Sequence, residues 1–261
     1  MNSYLVKLVI IILLALSSLS GHTHELWLEP EKFTIQPNSK LNAHIKVGQE
    51  FNGDKFPYLF SETKSLKIFF DKKEIILRPR DGDYPAIQSK LKKADLYILS
   101  YESIPEKVNY KNFKIFQSFL EEQDIWDEWS KKNSFLVNTD INEIYTRYAK
   151  SLINVVGGLG EDLNTGLLFE LIALNNPYIS KNKVEVLLLY KNKPFPDSQI
   201  TIFNKINGRT FISKIRTDNN GKAFIPINKG GMFLLSAVHF RRSDIKNADW
   251  QSLWASLTFE K

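Results

Sequence analysis

Apolar and polar positions alternate with period two along much of the chain, the signature of strands with one face buried. Glu25 to Ile35 opens with such alternation and is closed by Pro37-Asn38, a turn signal before the next alternating run, Leu41 to Val47. Leu66 to Phe70 and Glu74 to Leu77 flank Asp71-Lys72-Lys73 as a hairpin, Pro79 to Pro85 reads as a loop, and Leu96 to Tyr101 is a further short strand. This part of the pattern predicts an antiparallel β-sandwich of short strands. Between Asn112 and Val156 the spacing changes. Phe113, Phe116, Phe119 and Leu120 recur at helical intervals, as do Ile144, Tyr148, Leu152 and Val155, so two inserted helices are expected.

Gly157-Gly158-x-Gly160 would end the second helix. It lacks the preceding strand and following helix of a dinucleotide fingerprint and reads as a turn. Leu167 to Leu174 is one more strand, and Asn175-Asn176-Pro177 is the expected domain boundary. Beyond it lie six evenly spaced strands: Val184 to Tyr190, Ile200 to Ile206, Phe211 to Arg216, Lys222 to Ile227, Met232 to Phe240 and Leu253 to Phe259. Asn207-Gly208 is a favoured two-residue hairpin turn, because both positions accept positive φ. The expected fold is mainly β: an N-terminal antiparallel β-sandwich with two inserted helices over residues 21–177, then an immunoglobulin-like or transthyretin-like β-sandwich over residues 178–261.

The first residues follow another logic. Lys7 precedes an apolar run, Leu8 to Leu16, and Ser17-Ser18-Leu19-Ser20-Gly21 follows, the order of a secretory signal peptide. The run falls short of the roughly 20 apolar residues a membrane span needs. Residues 1–20 are therefore expected to be removed, with Ser18-Leu19-Ser20 as the best small-x-small cleavage site.

Composition sharpens this picture. The chain has 18 Phe, 10 Tyr and 5 Trp against 2 Met, which favours strands and rigid core side chains over a helical bundle. Net charge is +6, yet basic residues are interspersed with acids, so nucleic acid is not an expected partner. Cysteine is absent, which excludes disulfides, thiolate metal sites and a cysteine nucleophile. No nucleophile elbow, His-Glu-x-x-His helix or phosphate-binding loop occurs, and no enzyme is expected.

With these elements in order, the chain resembles a bacterial exported domain-of-unknown-function family often labelled the periplasmic component of a cobalt/nickel ABC-type transport system. The resemblance rests on His24-Glu25-Leu26-Trp27-Leu28-Glu29-Pro30, Val47-Gly48-Gln49-x-Phe51-x-Gly53 and Arg147-Tyr148-Ala149-Lys150-Ser151-Leu152. It continues through Phe169-Glu170-Leu171, Asn176-Pro177, Thr217-Asp218-x-x-Gly221, Ala237-Val238-His239 and Trp254-Ala255-Ser256-Leu257-Thr258-Phe259. It implies a periplasmic location, a carboxypeptidase-regulatory-like C-terminal sandwich and a part in divalent-metal uptake, with an inner-membrane metal importer as partner.

The candidate metal ligands are His24, His239, His22 and Glu29. Only four histidines occur, and His22 and His24 cluster at the start of the mature chain. Imidazole suits nickel and cobalt, and also copper and zinc, in a chain without thiolates. A cut after Gly21 would put His24 third, for square-planar chelation, and a cut after Thr23 would put it first, joined to the free amine. His239 ends a strand on the parity of Phe233, Leu235 and Ala237, where the resemblance also puts a histidine. His44 reads as structural. Glu170, a charge inside an apolar strand, needs a metal or a base such as Arg147 or Lys150. Asp249 is a weaker candidate. The expected function is binding of nickel or cobalt by His24 and His239 to assist uptake. The alternative is a metal-free binding or scaffold module for a protein or glycan, favoured if those two rings are apart or His239 is packed among apolar groups.

Overall fold

A computed structural model describes residues 24–133 and 140–261. The expected signal peptide and His22 lie outside the described residues. Strands account for 54% and helices for 8% of the chain, and a sandwich-like arrangement of several sheets is present, as the alternation predicts. In chain order the strands are β1 (Glu25–Pro30), β2 (Thr34–Ile35), β3 (Lys40–Gln49), β4 (Asn52–Phe56), β5 (Thr63–Phe70), β6 (Lys73–Ile76), β7 (Ile87–Lys90), β8 (Asp95–Ser103) and β9 (Glu106–Tyr110). Helices α1 (Phe113–Glu122) and α2 (Trp126–Asn133) follow, then β10 (Ile141–Val155), β11 (Phe169–Ala173), β12 (Lys183–Tyr190) and β13 (Lys193–Pro194). The chain closes with β14 (Gln199–Ile206), β15 (Arg209–Arg216), β16 (Lys222–Pro226), β17 (Met232–Arg242) and β18 (Trp250–Glu260).

The described chain divides into a small unit, residues 108–142, and a large one, residues 24–107 with 143–261. In the small unit α1 starts where Asn112 caps it, its side chain accepting from the Lys114 N–H, and buries Phe116, Phe119 and Leu120, the predicted stripe. Phe116 meets Trp129 of α2 edge-on at 5.2 Å, and Trp126 stacks on Trp129 at 5.6 Å. These rings give a short unit a core of its own.

The large unit has three layers. A ten-stranded sheet, eight of whose strands run in the order β15-β14-β17-β18-β10-β8-β5-β6, forms the middle. One face is covered by β1, β3, β4 and β7, the other by β11, β12, β13 and β16. Alternation along the central strands assigns the faces: Tyr97, Leu99, Ala149 and Ile153 join Leu26, Leu28, Leu41 and Ile45 in one core, while Leu96, Ile98, Tyr148 and Leu152 join Phe169, Val184, Val186 and Leu188 in the other.

That layering corrects one expectation. The segment Ile144 to Val155 is not a helix but most of the long strand β10. Ile144, Tyr148 and Leu152 are four apart, a spacing that also keeps one strand face. A strand covered on both sides shows no clean alternation, so the helical period was matched by accident. Helix α2 was not anticipated. Asn175-Asn176-Pro177 lies between β11 and β12, yet the central sheet draws strands from both sides of it: β10 pairs in parallel with β18, from Glu143↔Trp250 to Ser151↔Thr258. Asn207 and Gly208 both take positive φ in the β14–β15 hairpin, as that turn requires.

Candidate functional site

The most site-like hollow in the large unit is a cleft of about 230 Å³ lined by Leu26, Val47, Phe56, Leu59, Glu62, Tyr101, Glu106 and Arg147, among others. Mostly apolar walls with a few converging polar groups are what a binding pocket needs. Hollows of about 460, 370 and 280 Å³ are larger; the first two have no buried charged side chain in their lining, and in the third the buried Asp162 has its carboxylate engaged by Lys150.

Arg147 defines the cleft. It alternates with Tyr148 and so emerges on the face of β10 that carries Ala149 and Ile153. Its guanidinium bonds Glu106 Oε1 from Nη1 at 3.3 Å and the His24 carbonyl from Nη2 at 3.2 Å, and it stacks on the Tyr145 ring at 4.5 Å. Arg147 is 8% exposed, and its Nε is buried without a hydrogen-bond partner. A buried guanidinium N–H left unmatched is costly, which sets Arg147 apart among the residues lining the cleft. The Tyr145 hydroxyl donates to Glu106 Oε2 at 2.8 Å. Burial pushes the Tyr101 and Tyr145 phenols up to about 12, so both stay neutral.

The hairpin beside this cleft explains one of the sequence motifs. Gly48 pairs with Gly53 across β3 and β4, and a Cβ on either would run into the opposing backbone. Between them Glu50 and Phe51 take positive φ. Phe51 is held there by its fully buried ring, edge-on to Trp27 at 5.5 Å and clustered with Phe203 and Leu234.

The expected metal ligands fall in different places. The His24 carbonyl is tied to Arg147, which assigns this residue to the Arg147 face of the central sheet. His239 is on the other face, its ring 4.6 Å from those of Tyr190 and Phe195 and 6.0 Å from that of Phe169. Burial, then Arg241 and Lys191, push its imidazole down to about 4, so it is neutral at pH 7. The two rings are not brought together. Glu29 is engaged by Lys46 Nζ at 3.1 Å and by Trp27 Nε1 at 2.9 Å. His44 is buried beside Tyr84, with Nε2 3.4 Å from Glu31 Oε1. Asp249 is exposed just before β18. Among the described residues no group of three or more His, Asp or Glu is arranged to hold a metal ion.

Glu170 has a base as its partner, and strand parity chose which one: Lys150 shares its face, whereas Arg147 points the other way. Sequence reasoning did not single out Tyr101, Glu106 or Asp162. The available signal was Arg147 and Lys150 three apart inside an apolar run, which on a doubly covered strand sends one base into each core.

Solved structures offer only remote likeness. A DUF4785 family protein from Legionella pneumophila matches at 10% identity and a TM-score of 0.24, over 80% of this chain and 52% of that one. The adhesin InvE of Yersinia pseudotuberculosis matches at 13% identity and a TM-score of 0.21, over 92% and 59%. The chain thus spans about half to three fifths of the length of these structures. No curated protein matches it. A family profile, described only as a domain of unknown function and carrying no link to cobalt or nickel transport, matches residues 22–241. The chain therefore belongs to the DUF4198 family.

Proposed function

We propose that the protein is an exported, metal-free and non-catalytic binding or scaffold module of the periplasm, with the Arg147 cleft as its recognition site. One observation carries this reading: His24 and His239 belong to opposite faces of the central sheet, and His239 is wrapped by aromatic rings. That arrangement favours recognition over metal transfer.

The cleft suits a particular chemistry. Leu26, Val47, Phe56 and Leu59 offer apolar wall, Arg147 Nε offers a donor, and Glu62 and Glu106 offer acceptors. An apolar side chain of a partner protein, flanked by its own peptide groups, matches this set. A sugar matches it less well, since its hydroxyls would need more partners than the walls supply. The nickel or cobalt reading, with an inner-membrane importer as recipient, keeps its basis in the His22 and His24 pair at the start of the chain.

Calorimetric titration of the processed protein with Ni(II) and Co(II) separates the two readings. The expected result is no saturable heat with wild type or with His24→Ala. Saturable binding that His24→Ala abolishes would reject the metal-free reading. Titration with short apolar peptides should shift the NMR signal of the Arg147 Nε–H, and Leu59→Asp should remove that response.

A further inference from the structure

Three charged side chains are sealed inside the large unit. Lys150 on β10 is 1% exposed, and Asp162, in the connection to β11, and Glu170 on β11 are both 0% exposed. Lys150 Nζ lies 2.8 Å from Asp162 Oδ1 and 3.0 Å from Glu170 Oε1, and it donates a third bond to the Leu163 carbonyl at 3.0 Å. The carboxylates are fixed as firmly. Asp162 Oδ2 accepts the Ala173 N–H at 2.8 Å, and Oδ1 accepts the Leu163 N–H at 2.8 Å. Glu170 Oε1 accepts from the Thr165 N–H at 2.8 Å and the Thr165 hydroxyl at 2.9 Å, and Oε2 accepts the Leu167 N–H at 3.2 Å.

One ammonium against two carboxylates leaves a net negative charge in a dry core, which is costly unless one carboxyl holds a proton. Burial pushes Asp162 up, while Lys150, Ala173 and their hydrogen bonds only partly oppose it. Burial pulls Lys150 down, but Asp162 and Glu170 together carry it above its usual value. Of the two carboxyls, Asp162 is the one that burial pushes towards the protonated form. The Lys150 amine is held against it, with Glu170 in reach of the same nitrogen.

We propose that Lys150 and Asp162 condense into an intramolecular amide, with Glu170 as the proton acceptor. Glu170 takes one proton from the Lys150 ammonium, and the freed amine attacks Cγ of the Asp162 carboxyl. Oδ2 then carries the developing negative charge towards the Ala173 N–H, the place for an oxyanion donor. The C–Oδ1 bond breaks, and Oδ1 departs as water with its own proton and one from the nitrogen. Glu170 is left protonated. Atoms and charge balance, and no oxidant, reductant or co-reactant is needed. Fixing amine and carboxyl in contact gives an effective concentration on the order of 10⁵–10⁸ M, and the water released has an outlet in the hollow of about 280 Å³ that Asp162 and Leu163 line. The product would bolt the central sheet to the layer containing β11 in a chain that has no cysteine.

Denaturing mass spectrometry of the purified protein, joined to a tryptic map, tests this. The expected mass is one water below that of the processed sequence, with Lys150 resistant to trypsin, so that residues 148–181 run as one peptide a water light, and fragmentation puts the loss in a loop closed between Lys150 and Asp162. Glu170→Gln and Asp162→Ala should each restore the full mass and cleavage at Lys150. A wild-type protein at full mass and cut at Lys150 overturns the proposal whether or not the variants fold, as does a water loss that maps elsewhere. Undiminished amide formation in Glu170→Gln overturns the role given to that residue.

Discussion

Arg147 and Lys150 sit three residues apart on one strand and meet opposite fates. Arg147 looks towards the β1–β3 layer and shares its charge with a single carboxylate, Glu106, whose side chain is 36% exposed. Lys150 looks towards the β11–β12 layer and faces two carboxylates with no exposure at all. The strand is the same and the charge is the same. What differs is solvent: on one face the ion pair borders a cleft, and on the other it is locked into the packing. A charge inside an apolar strand is thus no guide to its role until the layer above it is known.

Removing each base in turn gives the largest contrast. Lys150→Met takes from Asp162 and Glu170 the nitrogen they share, whether as an ammonium or as the proposed amide, and is expected to cost at least ~3–5 kcal/mol, the penalty for breaking a buried ion pair. Urea denaturation of the variant beside wild type would measure it, and a loss under 1 kcal/mol would mean that water reaches this face.

His239 examines the same dry face by pH. Its imidazole is held down at about 4 against an ordinary 6.5, so between these values the unfolded chain binds a proton that the folded chain refuses. Stability from this group is complete above about pH 6.5 and falls as pH drops towards 4. The total is about 1–3 kcal/mol, reduced from the full linkage value because the ring is only partly sealed. Denaturation midpoints across that range should fall less in His239→Phe than in wild type, and parallel curves would contradict the aromatic enclosure.

The smallest effect belongs to the cleft. Arg147→Met leaves Glu106 near solvent, which can rehydrate it, so the expected cost is about 1–2 kcal/mol. The same denaturation assay should rank it below Lys150→Met, and the reverse order would undo the contrast between the two faces.

Much of the fold was legible along the chain. The hairpin at Asp71-Lys72-Lys73, the Phe113 to Leu120 helix, the Leu167 to Leu174 strand and all six C-terminal strands were readable, because each has one wet face or a turn that punctuates it. The stretch from Ile144 to Val155 was misread because a strand buried on both faces loses the alternation that identifies strands. The candidate site was legible only in part. The need of Glu170 for a basic partner was evident, but Asp162 stood in a polar connection with no periodic signal, and Glu106 looked like any surface acid.

By itself the sequence determined the β-rich class, most strand positions and the absence of any thiol chemistry, since these depend on local spacing and composition. Only the tertiary structure decided which face each residue of β10 meets, and with it that Arg147 lines a cleft, Lys150 joins two carboxylates, and His24 and His239 are held apart. The reason is geometric: period two says which residues share a face, but the partner across that face can come from a hundred residues or more away, as the His24 carbonyl does for Arg147.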